Sequence, residues 1–192
     1  MGTAFTPLWP FDLENARMRW MEFEEREPRL AAIAQERLVG PRVVLVGTQR
    51  RDGTARISGC EPLLMEGDFW LSMMDSPKVE DLRRDPRVLV RSVITAPGGE
   101  IEILVRGKAV SVKDRPIQQR YADAVANALH WRPELGLFNL FRIDVEDVTY
   151  IHFDEPGDQH VARWPAQVEY RRRHLTPTSY GPREPAGGVL TR

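Results

Sequence analysis

The fold is decided by residues 69–94, which read FWLSMM, then DSPKVEDLRRDP, then RVLVRSVI. The first and last of these three runs are apolar and bordered by turn residues, which is typical of strands. Between them, Ser76 is a good N-cap, and Pro77 stands at the first helical position, where proline is tolerated. Pro86 then ends the helix, because the residue before a proline is pushed out of the helical region. The stretch predicts a strand, a short helix and a second strand.

The start of that helix is a candidate binding site. A helix N-terminus offers free backbone N–H groups and a partial positive charge, and Lys78 adds a full positive charge in the first turn. A cation is mildly unfavourable at that end of the dipole, and a bound anion such as phosphate would remove the conflict. The alternative interpretation is an ordinary solvated lysine, with Glu80 and Asp81 already compensating the dipole. Both interpretations stay open on this stretch alone.

Composition excludes several classes of protein. The 192 residues carry a formal net charge of −1, so no overall basic field points to nucleic acid. No apolar run reaches the length of a membrane span, and residues 1–10 lack the pattern of a signal peptide. Cys60 is the only cysteine, which prevents an internal disulfide and fits a reducing compartment. We therefore expect a soluble, cytoplasmic protein with no nucleic-acid partner and no membrane association.

The chain divides into three segments. Residues 1–37 are predicted to be a helical segment, with a first helix ending near Glu27 and a second covering about 29–38. Residues 38–153 are dominated by strand patterns and form the predicted cofactor-binding domain. Residues 154–192 are rich in proline, glycine and arginine and are predicted to be a tail, with disorder expected from residue 184.

The strand-rich segment has the pattern of a barrel. Asp52-Gly53 is a strong hairpin signal between two apolar runs, and Gly107 indicates a bulge or sharp bend. Asp114 caps a predicted helix, and 137–143 and 147–153 are the last two strand candidates. About six or seven antiparallel strands joined by hairpins favour a barrel with flanking helices, and the helices are too few for a doubly wound sheet.

Several short motifs in this order resemble the pyridoxamine 5′-phosphate oxidase-like superfamily of flavin-binding split barrels. The resemblance covers roughly residues 38–153, and no single motif would suffice for it. The motifs are Val43–Gln49, Asp52-Gly53, Arg56-Ile57-Ser58, Phe69–Met74, Ser76-Pro77-Lys78, Leu82–Val88 and Arg106-Gly107-Lys108-Ala109.

The resemblance implies a homodimeric split β-barrel with two cofactor sites at the dimer interface. By that resemblance, Arg56 and Lys78 hold the phosphate of flavin mononucleotide (FMN), and Ser76 donates to it. The backbone near Leu71 and Ser72 borders the isoalloxazine ring. Two further residues, Ile57 and Ser58, lie along the ring or the ribityl chain. Two cations and a helix N-terminus suit a dianion.

The chain also departs from the superfamily's pattern. Ser76-Pro77-Lys78 stands where members often have Ser-Arg-Lys, so one phosphate contact is missing. The C-terminal arginine–histidine motif of the oxidases proper has no counterpart, since Arg171-Arg172-Arg173-His174 is a different pattern. Oxidation of a vitamin B6 phosphate is therefore not expected.

Two functions remain open. The first is an FMN-dependent oxidoreductase acting on a small molecule, with a deazaflavin as the alternative cofactor; the cofactor then carries the hydride chemistry, and no catalytic side chain is assigned. The second is a non-catalytic, stress-related protein that binds flavin or haem. The four histidines lack the tight spacing of a helical metal site. Trp164 either covers a flavin ring by stacking or packs on a partner subunit.

Overall fold

The computed structural model describes residues 18–94 and 100–191. These residues form a mainly antiparallel β structure with flanking helices, as predicted. The helices are α1 (Trp20–Arg26), α2 (Pro28–Val39), α3 (Pro77–Arg84) and α4 (Arg115–Leu129), followed by a short 3-10 helix at Val189–Thr191. The strands are β1 (Val44–Gln49), β2 (Ala55–Cys60), β3 (Pro62–Met65), β4 (Asp68–Met73), β5 (Arg87–Ser92), β6 (Ile101–Val112), β7 (Asn139–Phe153), β8 (Gln159–Trp164), β9 (Val168–Thr176) and β10 (Ser179–Pro185).

The strands form one sheet in the order β10-β9-β8-β7-β6-β5-β1-β2. Strand β4 pairs with β7 and with β3, so it branches from this path. The predicted Asp52-Gly53 turn joins β1 to β2, with Gly53 at a φ of +85°. At the predicted bulge, the β6–β7 register shifts between Arg106 and Gly107, and a Cβ on Gly107 would collide with the backbone of Asp144.

The helix α3 has the predicted position and bounds. Its apolar side chains Val79 and Leu82 are buried, and the helix packs against β1. Ser76 occupies the N-cap position with extended backbone, but its side chain makes no capping hydrogen bond. At α4, by contrast, the predicted cap is made, because Asp114 accepts from the backbone N–H of Ile117 at 2.9 Å. The α3 cap therefore has a hydroxyl that the helix does not use.

The N-terminal helices cover the core of the sheet. Residues 1–17, the first part of the predicted helical segment, lie outside the described part of the chain. The second helix begins at Pro28, which takes the first helical position. Phe23 is fully buried, and its ring centroid lies 5.0 Å from that of Trp164. Trp164 is thus a core residue of this chain, and the structure supports neither of the two alternatives considered for it, stacking on a flavin or packing on a partner subunit.

Two predictions about the later strands are also corrected. The candidates 137–143 and 147–153 are one strand, β7, which pairs with β6 along its whole length from Leu140 to His152. The segment predicted as a tail contains β8, β9 and β10, and Glu184 lies in β10. The expectation of disorder from residue 184 was wrong, because backbone pairing orders strands whose side chains are largely exposed.

Candidate functional site

The start of α3 lies against the end of β2. The ammonium Nζ of Lys78 donates to the carbonyl oxygen of Gly59 at 2.8 Å. Within the described residues, no carboxylate lies within ion-pair distance of this ammonium. The predicted residues Ser58, Ser76 and Lys78 are therefore close to one hydrogen bond that joins the two elements.

Two hydroxyls in this region have no hydrogen-bond partner. The Oγ atoms of Ser58 and Ser76 are inaccessible to solvent, and neither has a donor or acceptor partner among the described residues. A buried polar group without a partner costs about 1–3 kcal/mol. Ser58 precedes Gly59 in β2 and Ser76 is the N-cap residue of α3, and a helix N-terminus is a position where an anion accepts from hydroxyls and backbone N–H groups.

Arg56 has a different environment. It lies on the inward face of β2, and its Nε donates to Asp81 Oδ2 at 2.6 Å. Asp81 also accepts from Thr48 Oγ1 at 3.0 Å and is paired with Arg84 at 3.3 Å. Burial opposes the charge of Asp81, but the hydrogen bonds from Arg56 and Thr48 outweigh it and hold the pKa of this carboxyl below its ordinary value. The aspartate predicted to compensate the helix dipole is instead the partner of Arg56.

The two residues predicted to bind the phosphate, Arg56 and Lys78, line two different depressions near the N-terminus of α3. One, the Arg56 opening, has a volume of about 570 Å³ and is lined by Arg50, Arg51, Asp52, Arg56, Pro77, Glu80 and Asp81. The other, the Lys78 cleft, has a volume of about 560 Å³ and is lined on one side by Gly59, Cys60, Ser72, Met73, Met74 and Lys78. This size is ordinary for a small-molecule site.

Strand β4 supplies one wall of the Lys78 cleft. Because β3 pairs with β4 only as far as Pro62 and Leu71, the residues Ser72 and Met73 extend beyond β3 and reach the cleft. Leu71 itself is fully buried in the core, where its backbone lies between β3 and β7, and it does not line the cleft. The sequence prediction assigned the backbone of Leu71 and Ser72 to the ring, and the structure brings Ser72 to the cleft.

The floor of the cleft is a buried polar network. The hydroxyl of Tyr121 on α4 donates to Ser72 Oγ at 2.9 Å, and Cys60 Sγ donates to the backbone oxygen of Ser72 at 3.3 Å. Burial raises the pKa of the Cys60 thiol to about 11 and that of the Tyr121 hydroxyl to about 12. Both groups are therefore protonated at neutral pH, and Cys60 is not a thiolate nucleophile.

The opposite wall was not predicted from the sequence. It comes from the segment after α4, which contributes Trp131, Leu137 and Phe138. Trp131 and Leu137 are 45% and 63% exposed. The segment lies about sixty residues beyond Lys78 in the chain, and no local pattern indicates that it folds back. The same segment also brings Arg132 and Glu134 to the cleft, so this wall combines apolar, aromatic and charged side chains.

A further predicted residue, Ile57, borders a third opening, which Arg56 also lines. Ile57 is 71% exposed and faces the outside of β2, because side chains alternate along a strand. It borders a broad groove of about 750 Å³ that β1, β2, β5 and β6 form together, with Leu89 and Arg87 among its other lining residues.

Among the described residues, no cluster of His, Cys, Asp or Glu has the number and arrangement to hold a metal ion. Nor does any described helix have the length and apolar character of a membrane span.

No protein-family model matches the chain, and no curated protein matches it. Solved structures do match it. A candidate pyridoxamine 5′-phosphate oxidase from Listeria innocua is 19% identical with a TM-score of 0.53, covering 64% of this chain and 95% of that one. An FAD-binding protein from Mesorhizobium loti is 22% identical with a TM-score of 0.51, covering 62% of this chain and 92% of that one.

A third solved structure covers more of this chain. It is a protein from Clostridium acetobutylicum related to general stress protein 26, of the pyridoxine-phosphate oxidase family. It is 20% identical with a TM-score of 0.53, covering 73% of this chain and 97% of that one. These likenesses concern the fold, and they confirm the predicted split barrel.

Proposed function

We propose that this chain, which has the split-barrel fold of the pyridoxamine 5′-phosphate oxidase-like superfamily, is a homodimeric, FMN-dependent oxidoreductase of the cytoplasm that acts on a small molecule. In this proposal the phosphate of the cofactor lies at the N-terminus of α3, and its ring lies in the Lys78 cleft. The single observation that carries the proposal is the pair of buried hydroxyls, of Ser58 and Ser76, that have no partner among the described residues and belong to the two elements joined by the Lys78–Gly59 hydrogen bond.

The residues around this position suit a phosphate. Lys78 contributes a full charge that no described carboxylate neutralises, and Ser58 and Ser76 contribute two hydroxyl donors. Arg56 is held through its Nε by Asp81, so its terminal amino groups are available as further donors from the other side of the helix start. Charge-assisted hydrogen bonds of this kind are about twice as strong as neutral ones.

The cleft suits a planar ring. Its walls offer apolar and aromatic surface, with Met73 and Met74 on one side and Trp131 and Phe138 on the other. The charged residues Glu61, Arg132 and Glu134 also line it. Flavin, when bound, supplies hydride transfer, and the protein then contributes binding, orientation and exclusion of water. Because Cys60 and Tyr121 are both neutral at pH 7, neither puts a charge against the ring.

The proposed dimer would cover surface that is apolar in this subunit. Ile57 lies on β2, which is at the end of the sheet order, and Leu89 lies beside it in the groove. Met74 is 77% exposed at the rim of the cleft. A second copy of the chain would bury these side chains and bring its own surface to the cofactor. Light scattering at micromolar concentration should give the mass of a dimer, and a monomer would contradict this part of the proposal.

The test is a titration of the apoprotein with FMN, riboflavin, a deazaflavin and haem, followed by fluorescence and absorption. We expect FMN to bind more tightly than riboflavin, because riboflavin lacks the phosphate. Reduction of the bound flavin by a nicotinamide donor, followed by reoxidation with a small acceptor, would distinguish an enzyme from a carrier. Tighter binding of the deazaflavin or of haem would favour those cofactors instead, and binding of none of the four would overturn the proposal.

A further inference from the structure

The floor of the Lys78 cleft contains a hydrogen bond between Tyr121 and Ser72, and the burial of Tyr121 determines which of the two hydroxyls is the donor. Tyr121 is 2% exposed, and its hydroxyl lies 2.9 Å from Ser72 Oγ. Among the described residues, Ser72 Oγ is the only hydrogen-bond partner of the Tyr121 hydroxyl. If Ser72 donated to Tyr121, the phenolic hydrogen would be buried without an acceptor, at the cost of a lost hydrogen bond. Tyr121 is therefore the donor and Ser72 the acceptor.

This direction determines what Ser72 can offer to a ligand. A serine hydroxyl has one hydrogen to donate and two acceptor positions, and Tyr121 occupies one of the acceptor positions. The hydrogen of Ser72 remains free to donate, and Ser72 lines the cleft where the ring is proposed to lie. The neutrality of Tyr121 follows from its burial, which raises the pKa of its hydroxyl to about 12.

Packing holds the donor pair in place. The ring of Tyr121 lies 5.8 Å from that of Phe138, which itself lines the cleft. Both rings belong to a small apolar cluster between α4 and β4 that also contains Trp70 and Val125. Since this cluster fixes the phenol, the serine is oriented by rigid elements rather than by a loop, which is what accurate positioning of a ligand requires.

We infer that Ser72 donates a hydrogen bond to an acceptor atom on the edge of the bound flavin ring, and that Tyr121 is a positioning residue that fixes Ser72 in the donor role. This inference rests on the proposed function. An added electron pair makes the carbonyl oxygens of the ring more basic, so a fixed donor to one of these oxygens should stabilise the reduced ring more than the oxidised one. The Tyr121–Ser72 pair would thus raise the reduction potential of the bound flavin.

The test uses Ser72→Ala, Tyr121→Phe and the double variant in the full chain. Each single variant should weaken binding of both FMN and riboflavin by roughly five- to tenfold, because the lost contact is to the ring and not to the phosphate. Each should also lower the midpoint potential of bound flavin, by about 30 mV if the preference for the reduced form falls tenfold. The double variant should resemble Ser72→Ala, since Tyr121 acts only through Ser72.

Several outcomes would overturn the inference. One is a midpoint potential of Tyr121→Phe equal to that of wild type, which a purely structural role of the tyrosine would give. Another is a double variant whose losses of flavin affinity and midpoint potential equal the sum of the losses in the two single variants. If Tyr121→Phe does not fold, Ser72→Ala decides alone, and an unchanged ring affinity and potential would refute the donor role. Wild-type protein that binds no flavin would instead refute the proposed function, before any variant is compared.

Discussion

The two sides of the α3 N-terminus differ in how their cations are satisfied. On one side, Arg56 is already paired with Asp81, which is buried and also holds Thr48 and Arg84. On the other side, a backbone carbonyl is the one partner that the described residues provide for Lys78, which faces an open cleft. A cation that a buried carboxylate holds contributes to the fold first, whereas one without a carboxylate is available to an anion. Arg56 therefore combines a structural role with its proposed role in binding, whereas the proposed role of Lys78 is mainly binding.

The largest effect should follow from Lys78→Ala. This variant removes one charge-assisted contact, worth about 1.5–3 kcal/mol, and should weaken FMN binding by about ten- to a hundredfold. Riboflavin should bind wild type and variant with similar, poor affinity, because it lacks the phosphate. Fluorescence titration measures both ligands.

Two control variants sharpen this result. Lys113→Ala removes an exposed lysine ahead of α4 and should leave FMN affinity unchanged. Arg56→Ala should weaken FMN binding and also destabilise the fold, since it leaves Asp81 buried without its closest partner. If Lys78→Ala and Arg56→Ala both fold and both retain wild-type FMN affinity, the phosphate site is not at this helix.

The second effect concerns Asp81→Asn. The change removes the charge that holds Arg56, Thr48 and Arg84 together, and we expect the free energy of unfolding to fall by about 2 kcal/mol. That is less than for a fully buried pair, because the Arg56 side chain is 25% exposed. Urea denaturation measures it. FMN affinity should fall in parallel if Asp81 also orients Arg56, and an unchanged affinity would confine Asp81 to the fold.

The pH dependence of stability provides a further test of the same carboxylate. The pKa of Asp81 in the folded protein lies below the ordinary value of 3.8, so its ionised form stabilises the fold at and above that pH. The contribution is lost as the pH falls from about 4 through the folded pKa, because the unfolded state then binds the proton more readily. The stability difference between wild type and Asp81→Asn should therefore shrink below about pH 4. A constant difference down to pH 2 would show that the charge is not responsible.

Local patterns predicted most of the fold, and tertiary pairing explains what they missed. The stretch around α3, the β1–β2 turn and the Gly107 bulge are set by residues close together in the chain, and each was predicted. Strand β9 was missed because its arginines show no apolar alternation; it is ordered by pairing with β8 and β10, and Arg172 stacks over Tyr180 at 5.4 Å.

The same distinction applies to the candidate site. Lys78 was identified from the helix start, whereas the phosphate-binding roles of Ser76 and Arg56 came from the resemblance. The pairing of Arg56 with Asp81 joins residues 25 positions apart, and that of Tyr121 with Ser72 joins residues 49 apart. Tyr121 lies in the helix that was predicted to follow Asp114, and no sequence pattern singled out its hydroxyl. No local rule connects its hydroxyl with a serine on another element.

The smallest effect should come from Thr48→Val, which tests whether Asp81 depends on its whole set of partners. Thr48 is 6% exposed, and its hydroxyl donates to the same oxygen that Arg56 holds. Valine keeps the branched shape that suits a strand but removes this donor, so the free energy of unfolding should fall by about 1 kcal/mol. In the Asp81→Asn background the same change should cost less, because the charged acceptor is gone. Equal costs in both backgrounds would mean that Thr48 contributes packing alone, and that Arg56 holds Asp81 without its help.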